Sequence, residues 1–215
     1  MFTKEQKKQF LFALYLTSMV LVNILGSKIT YLRLFSLLEI RTSVGILFMP
    51  LLFLITDITT EVYGRKTSSQ FVNLSTMMLV FMFIMTWLCI ILPGHPTWPL
   101  QEAYVNIFYS SMRMTIASLI SFFIAQHIDV LIFWSIKVLS KEKHLWIRNN
   151  VSTIISQFVD TTIFMFIAFY KTASAPTVSG VFTLILPYWI FKIIFALLDT
   201  PFCYLGVWWI KRSKN

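Results

Sequence analysis

The chain has 215 residues, 57% of them hydrophobic and only 13% charged, with a formal net charge of +9. Soluble domains carry about 25% charged residues, so this sequence cannot build a water-facing surface, and its apolar runs of about 20 residues are each long enough to cross hydrocarbon. The basic excess does not point to nucleic acid, because the Lys and Arg residues lie mainly between the apolar runs, where they set topology.

In lipid each backbone N–H and C=O must be satisfied within its own segment, so the runs are predicted to be helices. The expected architecture is all-α: one integral membrane domain over residues 1–215, a polytopic transmembrane bundle of about six helices. The basic start at residues 4–8 leads straight into a span with no small-residue cleavage pattern, so no cleavable leader is expected. The first span is placed at about 9–25. Residues 26–43, mixed apolar and charged, are too short and too charged to span, and read as either an interfacial helix or a small hairpin over the outer mouth. The second span is placed at about 44–63 and the third at about 71–92. Residues 93–106 contain no Lys or Arg and read as an external loop, with turn signals at Pro93-Gly94 and Pro96. The fourth run, about 107–139, is too long to cross at a right angle and must tilt, protrude or break. Small residues on its adjoining faces (Ser111, Thr115, Ser118, Ser121, Ala125) favour close helix packing. The fifth span covers about 151–170, and the sixth, about 181–210, contains Pro187 and Pro201, either of which can mark a bent or unwound stretch.

Loop charge predicts orientation. With a cytoplasmic N-terminus, the inner segments hold 12 cations (Lys4, Lys7, Lys8, Arg65, Lys66, Lys137, Lys141, Lys143, Arg148, Lys211, Arg212, Lys214) against 4 outside (Lys28, Arg33, Arg41, Lys171), so both termini are expected to be cytoplasmic. Trp87, Trp98, Trp146, Trp189, Trp208 and Trp209 are candidate interface anchors.

Ionisable groups are costly inside a bilayer and call for a partner or a task. The spans contain Asp57, Glu61, Arg113, Asp129, Asp160, Lys192 and Asp199, a load that argues for a polar cavity rather than a plain anchor. At ~1.5 Å rise per residue, Asp160 and Lys192 fall near the midplane. They either line a pathway or form a buried ion pair that only ties two helices together. Glu61, Asp129 and Asp199 fall nearer the cytoplasmic side, and for Glu61 and Asp129 a solvated interface position is the alternative. An internal echo joins Gln126-x-x-Asp129-x-x-Ile-Phe133 to Gln157-x-x-Asp160-x-x-Ile-Phe164, each presenting an amide and a carboxylate on one helix face. Paired motifs in opposed helices are what an inverted-repeat transporter would carry.

Signatures of other chemistry are missing. Cys89 and Cys203 lie in apolar segments and form no disulfide framework, and His95, His127 and His144 stand in no HExxH or Cys/His cluster. Neither GxSxG nor a Walker motif occurs, so no metal, no cofactor and no enzymatic activity are expected.

Several stretches carry a family resemblance in order along nearly the whole chain: Val22-Asn23-Ile24-Leu25-Gly26-Ser27-Lys28; Pro50 through Asp57-Ile-Thr-Thr-Glu61-Val-Tyr63-Gly64-Arg65; Arg113 through Ser118 to Gln126-x-x-Asp129; Ser152-Thr153 through Gln157 to Asp160-Thr161 and Phe164; and Lys192 before Pro201 and Tyr204. On these the sequence resembles the queuosine-precursor transporter family, grouped with the vitamin uptake transporters. The resemblance implies a multi-pass protein of the bacterial inner membrane that imports 7-cyano-7-deazaguanine and 7-aminomethyl-7-deazaguanine for queuosine synthesis in tRNA. Such a base offers N–H donors on its N1/N2 edge, an O6 acceptor and a flat ring that stacks on aromatics. The substrate site is accordingly expected to hold Asp160 and Gln157 with Lys192 and Arg113, with Asp57, Glu61, Gln126 and Asn23 lining or gating it. The alternative is a substrate-binding membrane subunit of an ATP-driven vitamin or nucleobase importer, although the first helix offers Ala13 and Thr17 rather than a clean Ala-x-x-x-Ala docking face. A structural protein without ligand is disfavoured by the midplane charges. At 25.1 kDa the chain is small for a carrier, and a homodimer is compatible with that size.

Overall fold

The computed structural model describes residues 3–26, 28–34, 38–109, 112–171 and 175–212. Its frame is helical. Helix α1 (Lys4–Leu25) opens on a capping box, in which the Thr3 hydroxyl accepts from the Gln6 backbone and the Gln6 side chain accepts from the Thr3 backbone. Residues 26–43 resolve in favour of the hairpin: strands β1 (Ile29–Leu34) and β2 (Leu38–Ser43) pair antiparallel, Ile29 opposite Ser43. The Ser43 hydroxyl donates to the Gly26 carbonyl at 2.7 Å and accepts from the Gly45 N–H at 3.0 Å, which pins the hairpin base to the end of α1.

The second predicted span needs correction. After a short 3₁₀ turn (Val44–Leu47), helix α2 (Met49–Tyr63) has only 15 residues, ~22 Å at 1.5 Å rise and short of ~30 Å of hydrocarbon. Every residue from Ile55 to Glu61 is buried, so α2 is covered by protein on all sides. Its hydroxyls bond within the bundle: Thr56 Oγ1 donates to the Phe53 carbonyl, Thr60 Oγ1 to the Thr56 carbonyl, and Thr60 and Ser68 share a bond of 2.7 Å. Gly64, at φ +85°, ends α2 in a conformation that L side chains rarely adopt, and helix α3 (Arg65–Ile91) starts at the next residue.

In the fourth run α4 (Gln101–Tyr109) covers the first residues and α5 (Met112–Leu139) the remainder, with residues 110–111 outside the described ones. Helix α6 (Leu145–Phe169) begins six residues earlier than the sequence suggested, which draws Arg148 out of its expected loop and into the helix. Helix α7 (Val178–Lys211) runs through both Pro187 and Pro201 as one 34-residue helix, so neither proline unwinds it. Among the described residues five helices, α1, α3, α5, α6 and α7, are long and apolar enough to cross a membrane. The bundle therefore has five candidate spans packed around a short sixth helix.

The start of α1 and the end of α7 meet at one end of the bundle. Lys7 Nζ donates to the Trp209 carbonyl at 2.5 Å, and the Tyr63 hydroxyl donates to the Lys4 carbonyl at 2.8 Å. The main core joins Leu11, Tyr15 and Met19 of α1 to Leu52, Phe71, Val72 and Leu79, and a second cluster of Met165, Ala175, Val181 and Ile185 closes the far end. Outside, α3 exposes Leu74, Met77, Phe81, Ile84, Leu88 and Ile91. A soluble monomer rarely tolerates an apolar belt of this extent, and hydrocarbon solvates it.

Gly206 of α7 packs against Ile58 of α2, and a Cβ at Gly206 would collide with Ile58 Cδ1. Gly206→Val is expected to destabilise the fold by about 1–3 kcal/mol through overpacking, read as a lower melting temperature of the protein in detergent.

Candidate functional site

Helix α6 is inside out. Asn149, Ser152, Thr153, Ser156, Gln157, Asp160 and Thr161 follow one another at alternating steps of three and one, and all are buried. That spacing is a single helical face. The opposite face shows Val151, Ile155 and Phe158 to the outside. A polar stripe thus runs along the inner side of α6, over about 18 Å for twelve residues of rise. Partners from α2, α5 and α7 meet it at three levels.

At the end that holds the termini sits a charge cluster. Glu61 Oε2 accepts from Arg148 Nη2 at 2.6 Å and lies 3.4 Å from Lys137 Nζ, while Glu61 Oε1 lies 3.7 Å from Lys211 Nζ. Lys137 also donates to the Glu61 carbonyl at 2.7 Å, and Arg148 to the Lys143 carbonyl at 3.1 Å. The network joins α2, α5, α6 and α7. Glu61, Arg148 and Lys137 are all buried, so two cations counted in the sequence as loop charges are structural counter-ions instead.

Next along the stripe is a pair of carboxyls. Asp57 of α2 and Asp129 of α5 lie within hydrogen-bonding reach of each other. Asp129 Oδ1 accepts from Ser156 at 2.9 Å, and Asp57 Oδ2 accepts from Thr153 at 3.5 Å. Asp129 is wholly buried, which overturns the solvated-interface reading of it, and Glu61 is no better exposed.

The third level is a narrow cleft between α2, α6 and α7. Met49, Pro50 and Phe53 line it from α2, Thr153 and Gln157 from α6, and Phe191, Lys192, Phe195, Ala196 and Asp199 from α7. Its walls stand close together, and the gap admits about one water. Lys192 Nζ donates to Asp160 Oδ2 at 2.6 Å. Gln157 Oε1 and Asp160 Oδ1 are buried without a hydrogen-bond partner among the described residues. Most buried polar atoms find a partner, so such orphans mark a place where something else can bond.

Of the residues expected in one site, the structure joins Gln157, Lys192 and Asp160, with Lys192 and Gln157 on the cleft wall and Asp160 behind Lys192. Asp57 stands one residue away, through Thr153. Gln126 is wholly buried on α5, and neither amide atom has a partner among the described residues. Glu61 belongs to the charge cluster and not to the cleft. Asn23 lines a different cavity, about 510 Å³ with Thr86, Trp87 and Thr115, and its amide donates to the Met19 carbonyl. The Arg113 side chain lies outside the described residues, as does Ser111. Sequence reasoning missed Asp199, Thr153 and the three phenylalanines. Lys192, Ala196 and Asp199 are spaced by four and three, so the shared face was readable, but Asp199 had been assigned to the cytoplasmic side by its distance along the chain.

Comparison with known proteins adds a family. The model described as "Putative vitamin uptake transporter" matches residues 43–206. A Bacillus subtilis protein named "Probable queuosine precursor transporter" is 27% identical over 170 residues, covering 78% of this chain and 72% of that protein. A Haemophilus influenzae protein of the same name is 26% identical over 132 residues, with 60% and 52% covered, and the Escherichia coli "Queuosine precursor transporter" is 24% identical over 140 residues, with 65% and 61% covered. No solved structure matches.

Removing the one carboxylate of the charge cluster leaves buried cations unpaired. Glu61→Gln is expected to cost about 3–5 kcal/mol, seen as a loss of folded protein on thermal denaturation in detergent, whereas loss of the exposed Lys211 side chain should change little.

Proposed function

The chain belongs to the vitamin uptake transporter family, and from that premise we propose that it imports a 7-deazaguanine base, 7-cyano-7-deazaguanine or 7-aminomethyl-7-deazaguanine, across the bacterial inner membrane. Membership makes it a multi-pass membrane transporter rather than an enzyme. The names of its relatives in Bacillus subtilis and Escherichia coli supply the substrate class.

The chemistry of the cleft wall is the observation that carries the reading. Phe53, Phe191 and Phe195 supply flat apolar surface, and Gln157, Lys192 and Asp199 supply an acceptor, a cation and a carboxylate around it. A planar base with polar edges needs that combination. In the proposed pose the ring lies among the phenylalanines. Asp199 accepts from the N1/N2 edge, Gln157 Oε1 accepts a further N–H, and Lys192 donates to O6 while Asp160 holds it in place. Hydrogen bonds to charged groups are worth about 1.5–3 kcal/mol each, enough to separate this base from an apolar vitamin. The narrow gap between the walls requires α2 and α7 to part when the base enters.

Sidedness belongs to the same proposal. The cation-rich end, which holds both termini, faces the cytoplasm. Ser156 bonds to Asp129, so antiparallel packing of α5 on α6 sets Gln126 level with Asp160 and Asp129 level with Gln157. The two Gln-x-x-Asp motifs are proposed to oppose each other across the path as an inverted pair.

Uptake of labelled 7-cyano-7-deazaguanine tests this in a bacterium that lacks its own precursor synthesis, importer and any ATP-driven vitamin importer. The wild-type chain should restore uptake, and excess unlabelled 7-aminomethyl-7-deazaguanine should suppress it. Lys192→Ala and Gln157→Ala should each lower uptake about tenfold or more at equal membrane abundance, the loss of one good polar contact. Uptake unchanged in both variants would contradict the site.

A further inference from the structure

Asp57 and Asp129 present an electrostatic problem that the proposed substrate does not solve. Both are buried, at 1% and 0% exposure, and their carboxyls lie within hydrogen-bonding reach. The groups acting on them are hydroxyls and other acids: Thr153, Ser152 and Ser156 from α6, and Asp199 from α7. Tyr15 of α1 and Cys203 of α7 are the other titratable groups beside them, since each feels the charge of one of the pair. Among the described residues no cation forms a salt bridge with either carboxyl. The buried Arg148 and Lys137 are held by Glu61 and Lys192 by Asp160. Two carboxylates in contact, away from water and without a counter-ion, cannot both stay charged, so something positive must lie between them.

A second observation marks the place as a site. The Tyr15 hydroxyl is wholly buried, has no hydrogen-bond partner among the described residues, and sits close enough to feel Asp129. On α5 the Gln126 amide, one turn before Asp129 on the same face, is likewise buried with both polar atoms unpaired. Oxygen donors from α1, α2, α5 and α6 therefore gather around an uncompensated negative centre. Apart from the Cys203 thiol, the polar atoms around the pair are mainly oxygens, which suit a proton or a small hard cation.

We propose that Asp57 and Asp129 form a binding site for one monovalent cation, a proton or a sodium ion, whose occupancy is coupled to the cleft. Thr153 is the link: it lines the cleft and donates to Asp57. Asp199 is a second link, on the cleft wall and within electrostatic range of Asp57. The proposal rests on the transport reading for its purpose but not for its chemistry.

The test separates the two. The melting temperature of the purified full-length protein, without any base, is measured in sodium chloride against choline chloride at equal ionic strength, and across pH 5–8 in choline. A ligand that binds only the native state stabilises it, so one of the two cations should raise the wild-type melting temperature by several degrees. Sodium as the ion gives a sodium-dependent shift at fixed pH, and a proton gives the pH-dependent one. Asp129→Asn and, as an independent replacement, Asp57→Asn should each abolish that shift while still melting cooperatively. A wild-type protein indifferent to both cations, or variants that keep the full dependence, would overturn the site. A cation shift without any thermal shift on adding 7-cyano-7-deazaguanine would leave the cation site standing and sink the substrate reading.

Discussion

Hydrocarbon cannot hydrogen-bond, and that constraint organises this molecule. A side chain such as Gln157 or Asp160, placed on the lipid face, would lose several kcal/mol of solvation with no return. The sequence of α6 meets the constraint by collecting seven polar residues on one helical face and turning that face inward. The consequences reach the neighbours. The short helix α2, too short to cross hydrocarbon, is placed where α6 needs polar company, with Asp57 and Glu61 buried along it. Its lack of lipid contact follows from the same rule: a short helix with threonines and acids in its middle is stable only when protein surrounds it.

The three levels along the stripe divide the work by charge. At the end holding the termini, Glu61 gathers cations from α5, α6 and α7 and ties four helices together. Desolvation offsets most of the Coulomb gain in a buried network of this type, so it adds little net stability although breaking it is costly. At the middle level no cation among the described residues pairs with the acids. The cleft level holds a mixed set, with a cation, a carboxylate and a neutral amide beside aromatic rings. Charge therefore changes from level to level along the stripe, and Thr153, on the cleft wall and bonded to Asp57, joins the last two.

Much of this was legible in the residues. Hydropathy located the long spans, and the cost of charge in lipid singled out Asp160 and Lys192, which the structure pairs at 2.6 Å. What escaped had specific physical causes. Helix α2 was counted as an ordinary span because the apolar residues before Met49 lengthened its run, although they form the turn after a hairpin. Arg148 and Lys137 were read as loop cations because positive charge near a helix end is usually solvated, and only the three-dimensional position of Glu61 explains their burial. Of the two forms that Pro187 and Pro201 could mark, the unwound one is absent, since a proline removes one backbone donor without forcing a long helix to unwind. Asn23 was grouped with the site on its sequence neighbourhood, yet it faces another cavity, because α1 presents that residue to α3 and α5 rather than to α7.

Everything proposed for this molecule requires that Thr153 and Gln157, on the inner face of α6, line a cleft that water and substrate can reach. Cysteine accessibility measures this directly. In a Cys89→Ser, Cys203→Ser background, single cysteines would be placed at Thr153 and Gln157, where the stripe lines the cleft, and at Ile155 and Phe158 on the outer face, and reacted with a membrane-impermeant thiol reagent. The account predicts that the stripe positions react much faster than the outer ones, and that 7-cyano-7-deazaguanine changes their rates. Equal, slow reaction at all four positions, with or without the base, would contradict it.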